Sequence, residues 1–257
     1  MTSAVRAEWT KLRTLPSTGW LLVAAASVTV AGSAVVATAL HVNAGSAQDP
    51  TVLSLAGVQV GQAFVAILAV LAVSEEYGTG MIRVTLTAIP RRITCFAAKA
   101  TNVAALALLV GLIAVPGCLI AGRLVLPSAG INPAHGYALI SLSDASTLRA
   151  AIGSILYLIL IGLFSLGVAT IIRDTAASVG AVLGLLYLPP IAAQIVNDPA
   201  WRRVLEEILP TTAGLAIQTT TNLGSQPITP WAGLGVLAGW AAAILLIAGL
   251  SLRMRDS

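Results

Sequence analysis

Two histidines, ten acidic residues and two cysteines are what this chain of 257 residues offers for metal ligation, proton transfer or thiol chemistry, and their spacing suits none of these. His41 and His135 are 94 positions apart. An H-E-x-x-H run, which would put two imidazoles on one helical face, is missing, and so is the G-x-S-x-G turn that exposes a nucleophilic serine. Gly162-Leu163-Phe164-Ser165-Leu166-Gly167 approaches that pattern with the wrong spacing. No G-x-x-x-x-G-K-S/T loop is present to wrap phosphates, so ATP hydrolysis of that kind needs another chain. Cys95 and Cys118 are 23 residues apart, roughly 35 Å along a helix, which no disulfide reaches; each reads as a small apolar filler. The expectation is a chain that is not an enzyme and carries no catalytic, cofactor-binding or metal-binding residues.

What the chain has instead is a few neutral hydrogen-bonding side chains inside apolar sequence: Gln59, Gln62, Asn102, Tyr157 and Gln194. Such groups can line a pathway for a solute or join helix to helix by hydrogen bonds, and the second role is the commoner one. The glycine pairs Gly57/Gly61, Gly180/Gly184 and Gly235/Gly239 have the spacing that lets helices approach closely.

The elements that must position these residues are set by charge. Six stretches, residues 20–40, 52–74, 100–122, 150–172, 175–196 and 231–252, contain none of the 14 Lys and Arg or 10 Asp and Glu. A bilayer core of about 30 Å is crossed by about 20 helical residues, so each stretch can span it. The chain is 9% charged and 57% hydrophobic, against roughly 25% charged for a soluble domain. The fold class is therefore all-α, a polytopic membrane protein of six spans, with residues 1–257 forming one transmembrane domain. A first span is expected rather than a cleaved signal peptide, because 19 residues precede the apolar run and the run exceeds the usual core of such a peptide.

Basic residues orient the spans. Arg6, Lys11, Arg13, Arg83, Arg91, Arg92, Lys99, Arg173, Arg253 and Arg255 fall on one side, and Arg123, Arg149, Arg202 and Arg203 on the other. Both termini are expected in the cytoplasm, with the protein in the cell membrane. The net charge of +4 serves topology, and scattered basic residues give no reason to expect nucleic acid.

Residues 1–17 read as a cytoplasmic interfacial helix, with Val5, Trp9 and Leu12 on one face and Pro16 and Gly19 breaking the chain before the first span. Residues 75–99 form the main cytoplasmic loop, in which Ile82, Leu86 and Ile89 mark a short helix ended by Pro90. Pro116 is expected to kink the third span, and Pro189-Pro190 to bend or end the fifth, with residues 191–196 re-entering or lying at the outer interface. The outer loop, 196–230, holds a helix that starts at Asp198-Pro199, stops at Pro210 and carries Trp201, Val204, Leu205 and Ile208 on its apolar face. That helix either covers an outer exit or anchors at the interface.

Four patches then form a resemblance. Ala7-Glu8-Trp9-Thr10-Lys11-Leu12-Arg13-Thr14 resembles the start of actinobacterial permeases of the type-2 ATP-binding cassette (ABC) exporters. Glu76-Tyr77-Gly78-Thr79-Gly80-Met81-Ile82-Arg83 with Pro90-Arg91-Arg92 resembles that family's first cytoplasmic loop, and Ile172-Arg173-Asp174-Thr175-Ala176-Ala177 its second, where a glycine is more usual at the last position. Leu209-Pro210-Thr211-Thr212-Ala213-Gly214 resembles its outer-loop signature.

The resemblance implies a half-transporter. Two permease subunits, identical or different, would form the pathway in membrane lipid, and separate ABC ATP-binding subunits would drive it. Glu76, Tyr77, Gly78, Ile82, Arg83, Leu86, Arg91 and Arg92 would couple to the ATPase, and Arg173 with Asp174 would make a second contact or simply anchor the turn. The expected function is export of an amphipathic or hydrophobic compound. The alternative is a non-transporting membrane scaffold or sensor subunit; a channel fits less well, since no filter-like run or charged ring is visible.

Overall fold

A computed structural model describes residues 16–39, 48–78, 92–131, 141, 143–195 and 198–254. Residues 1–15 of the expected interfacial helix over 1–17, and the short helix through Ile82, Arg83 and Leu86, lie outside the described residues, and residues 16 and 17 belong to the first span. Helices make up the described chain, with no strand among the described residues. In lipid, each backbone group must be satisfied within its own segment, which leaves the helix as the form for apolar runs of this length.

The six spans are α1 (Pro16–Ala39), a broken pair α2 (Pro50–Leu55) and α3 (Val58–Gly78), α4 (Arg92–Val125), α5 (Ala145–Ile172), α6 (Thr175–Ile195) and α9 (Pro230–Met254). Two shorter helices, α7 (Pro199–Ile208) and α8 (Pro210–Leu215), come between α6 and α9. All six spans are long and apolar enough to cross a bilayer, which makes this a multi-pass membrane protein. α5 is the axis: it packs against α3, α4 and α9, and 61% of its most apolar window is buried, against 22% for α1 and for α6.

Several boundaries differ from the sequence-based expectation. The first span begins at Pro16, and Gly19 lies inside the helix rather than before it; the chain before Pro16 lies outside the described residues. Proline is suited to a first helical turn because the N–H it lacks would have no intrahelical acceptor. The second span is interrupted at Ala56–Gly57. There the Gly57 N–H leaves its own helix and donates to Ser33 Oγ of α1 at 3.0 Å. A β-carbon at Gly57 would overlap the Thr29 carbonyl, and one at Gly61 would overlap the Thr29 hydroxyl, so this glycine pair does bring two spans together. The pairs Gly180/Gly184 and Gly235/Gly239 do not. Gly180, Gly235 and Gly239 have no atom within 4 Å of a β-carbon position, because α6 and α9 turn those faces outward.

The prolines do not end the spans. α4 continues through Pro116, and α6 continues through Pro189 and Pro190 to Ile195 rather than stopping short. Pro190 supplies no N–H for the carbonyl of Leu186, four residues earlier. The Thr211 hydroxyl of α8 donates to that carbonyl at 3.0 Å, so a neighbouring element provides the missing donor. The segment that turns back into the bundle is accordingly α8 and the short 3-10 helix Ala216–Gln218, while residues 191–195 continue α6.

Candidate functional site

Side chains from five elements meet where this returning segment lies between α5, α6 and α9. Asp198 and Pro199 open α7 as expected, with Ala200 N–H donating to Asp198 Oδ1 at 2.9 Å. Leu209 then adopts an extended conformation, as a residue before proline prefers, and Pro210 starts α8. The chain descends along α7 until the Trp240 indole N–H of α9 donates to the Ile208 carbonyl at 3.0 Å. It climbs back through α8, where Gly214 is so close to the Tyr157 ring that a β-carbon would crowd it. Next, Gln218 Nε2 donates to Ser154 Oγ at 3.1 Å, one turn nearer the start of α5.

Beneath this segment Tyr157 donates its hydroxyl to Gln62 Oε1, linking α5 to α3; both side chains have 0% exposure. The Gln62 amide nitrogen has no hydrogen-bond acceptor, although it lies beside the Tyr187 hydroxyl. Tyr187 donates instead to the Gln59 carbonyl at 2.6 Å, which ties α6 to α3. The cluster is neutral throughout and can bind or orient a group by hydrogen bonding.

The segment is fastened above by charge. Asp49 Oδ1 caps α2 by accepting from Thr51 N–H at 3.0 Å and takes the Thr220 hydroxyl at 2.7 Å. Its Oδ2 accepts from the Thr220 N–H and from the Thr221 N–H at 3.0 Å. One carboxylate therefore joins residues 171 and 172 positions away. Arg149, one turn into α5, donates to the Thr219 carbonyl beside it.

Of the residues singled out in the sequence, Gln62 and Tyr157 come together and Gln59 joins them through its backbone. Its side chain is exposed, as is that of Gln194 at the far end of α6. Asn102 is buried on α4, outside this cluster. Glu76, Tyr77 and Gly78 form the last turn of α3, and Arg92 begins α4. Arg173 has φ 64°, left-handed, in a two-residue turn between α5 and α6. Asp174 beside it caps α6, accepting from Ala177 N–H at 2.7 Å. Cys95 and Cys118 are both buried on α4 and unbridged.

Sequence reasoning missed Asp49, Arg149, Ser154, Tyr187, Thr211 and Gln218. Asp49-Pro50 has the same capping dipeptide as Asp198-Pro199 and was open to the same reading. Arg149 was read only as an outer-side charge and Thr211 only as part of the outer-loop patch, while Ser154, Tyr187 and Gln218 carry no local mark. Among the described residues, no three His, Cys, Asp or Glu side chains converge where a metal ion could sit. In comparison with known proteins, no family model matches this chain and no curated protein is significantly similar to it.

Proposed function

We propose that the chain is the membrane-spanning permease subunit of an ATP-driven exporter of the type-2 ABC kind. Two such subunits form the pathway, separate ATPase subunits bind from the cytoplasm, and both termini of each permease lie on that side of the cell membrane. The cargo is an amphipathic or hydrophobic compound.

The observation that carries this reading is the distribution of charge. Every described charged side chain in the spans lies within two turns of a helix end, and the interior polar groups Gln62, Tyr157, Ser154 and Gln218 bond mostly to one another. An ion-driven transporter places an ionisable group at membrane depth to carry the coupling charge. This body has its polar seam built from neutral groups, which supports a pathway moved by force from outside. The four sequence patches, in order across six spans, support an ATPase as the source of that force.

The test is the double variant Ile82→Ala/Leu86→Ala, purified with the ATPase that carries a phosphate-binding loop. It should insert normally and lose transport-linked ATP hydrolysis. Unchanged coupling, or labelling that places Arg83 outside the cell, would refute the assignment.

A further inference from the structure

We propose that the cleft between α7 and α9 is a membrane-facing binding site for a lipophilic organic cation. The cleft, of about 410 Å³, is lined by Glu207, Ile208, Val236, Gly239, Trp240 and Ala243. It is separate from the neutral seam around Tyr157.

The charge order on α7 is the first argument. Arg202 and Arg203 precede Glu206 and Glu207, so the acids occupy the half nearer the helix C-terminus, where the helix dipole already disfavours them. The last turn has no basic residue. Arg202 Nε takes Glu206 at 3.1 Å, whereas Glu207 has no ion pair or hydrogen bond among the described residues. Arg203, one turn back, does not reach it. An arrangement that works against local helix stability marks a requirement set elsewhere.

The surroundings are the second. Trp240 is ten residues into α9, about 15 Å along its axis, so Glu207 is brought below the end of the bundle into apolar company. An anion there is half-buried in apolar surroundings with no partner among the described residues, and a cation is the complement. The Trp240 ring is fixed by its bond to the Ile208 carbonyl and still 41% exposed, which leaves an aromatic surface beside the carboxylate. Gly239 leaves the floor open, and Leu246, Ile247 and Leu250 continue the exposed apolar face of α9. A ligand with a positive centre and an apolar body, entering from the bilayer, satisfies each wall.

The test uses the purified full chain in nanodiscs of a neutral phospholipid, without any ATPase, so its failure leaves the permease assignment untouched. Tetraphenylphosphonium should bind saturably, at one site per chain, while tetraphenylborate, of the same shape and opposite charge, should only partition into lipid. Glu207→Gln should weaken phosphonium binding at least tenfold, and Glu207→Asp should retain most of it. Gly239→Leu should remove binding by filling the cleft. Equal, non-saturable uptake of both ions, or saturable binding unaffected by Glu207→Gln, would overturn the proposal. So would absence of binding together with cross-linking of Gly239→Cys to a second copy, which would show that another chain covers the cleft.

Discussion

At the end of the bundle that carries α7 and α8, side chains cross from one element to another, whereas at the end that carries the Arg173 turn many of them fold back on their own helix. Asp49 reaches Thr220 and Thr221, Gln218 reaches Ser154, Tyr157 reaches Gln62, Tyr187 reaches the Gln59 carbonyl and Thr211 reaches Leu186. Toward the other end, Ser165 and Thr170 donate to the carbonyls of Ile161 and Leu166 four residues earlier, and Asp174 caps its own helix. One side chain does cross there, Lys99 Nζ of α4 donating to the Ala72 carbonyl of α3 at 3.2 Å, and the packing around it is made by apolar side chains such as Val103, Val168, Ala169 and Phe164. Packing of that kind is non-directional and tolerates small sliding movements, while a hydrogen bond between distant elements holds one geometry. The α7 end is thus the more heavily cross-braced half. In the proposed exporter it is the outer half, and the half facing the ATPase is held by fewer such bonds.

The braces can be removed one at a time, starting with the strongest. Asp49→Ala removes a helix cap and charge-assisted bonds to Thr220 and Thr221, an expected loss of about 3 kcal/mol, measured as unfolding of the purified chain in detergent. Asp49→Asn should recover part of it. If Asp49→Ala costs nothing, the outer loop is held by something else and the contrast between the two ends fails.

Gly57→Ala drives a methyl group into the Thr29 carbonyl and should cost about 2 kcal/mol. Gly180→Ala meets open space and should be neutral in the isolated chain. A loss confined to Gly180→Ala in the assembled complex would reveal a partner helix on that face of α6.

Tyr157→Phe strands the Gln62 side chain in the core, at an expected cost of about 2 kcal/mol. Adding Gln62→Leu should restore part of that stability, since removing both polar partners costs less than removing one. Additivity in this double-mutant cycle would mean that the pair is not coupled. The smallest effect belongs to Thr211→Val, about 1 kcal/mol. It removes the donor that replaces the N–H missing at Pro190 and should raise hydrogen exchange at the outer end of α6.

Much of the fold was legible in the sequence because the bilayer imposes a simple rule. Runs of some 20 uncharged residues must be helices, and the structure has six at the expected places, with buried, unbridged cysteines and a capped α7 between the last two. The candidate site was legible only in pieces. Gln62 and Tyr157 stood out as polar residues in apolar sequence, but 95 positions separate them and neither points to the other. Thr211 stood out only as part of the outer-loop patch; its bond to the Leu186 carbonyl depends on a proline 21 positions earlier. The glycine pairs show the same limit. All three have the same spacing, yet Gly57/Gly61 meets a neighbouring span while Gly180 and Gly235 face outward, and spacing along one helix does not say which side its neighbours occupy.

Composition and charge alone determined that this chain is a bundle of six membrane-crossing helices, because hydrocarbon admits no unpaired backbone and few charges. Which polar groups pair, where the second span breaks, how α6 passes through two prolines and which face of α7 is left with an unanswered carboxylate were decided only when the helices packed. Hydrogen bonds act over about 3 Å, and only the folded chain brings residues far apart in sequence within that distance.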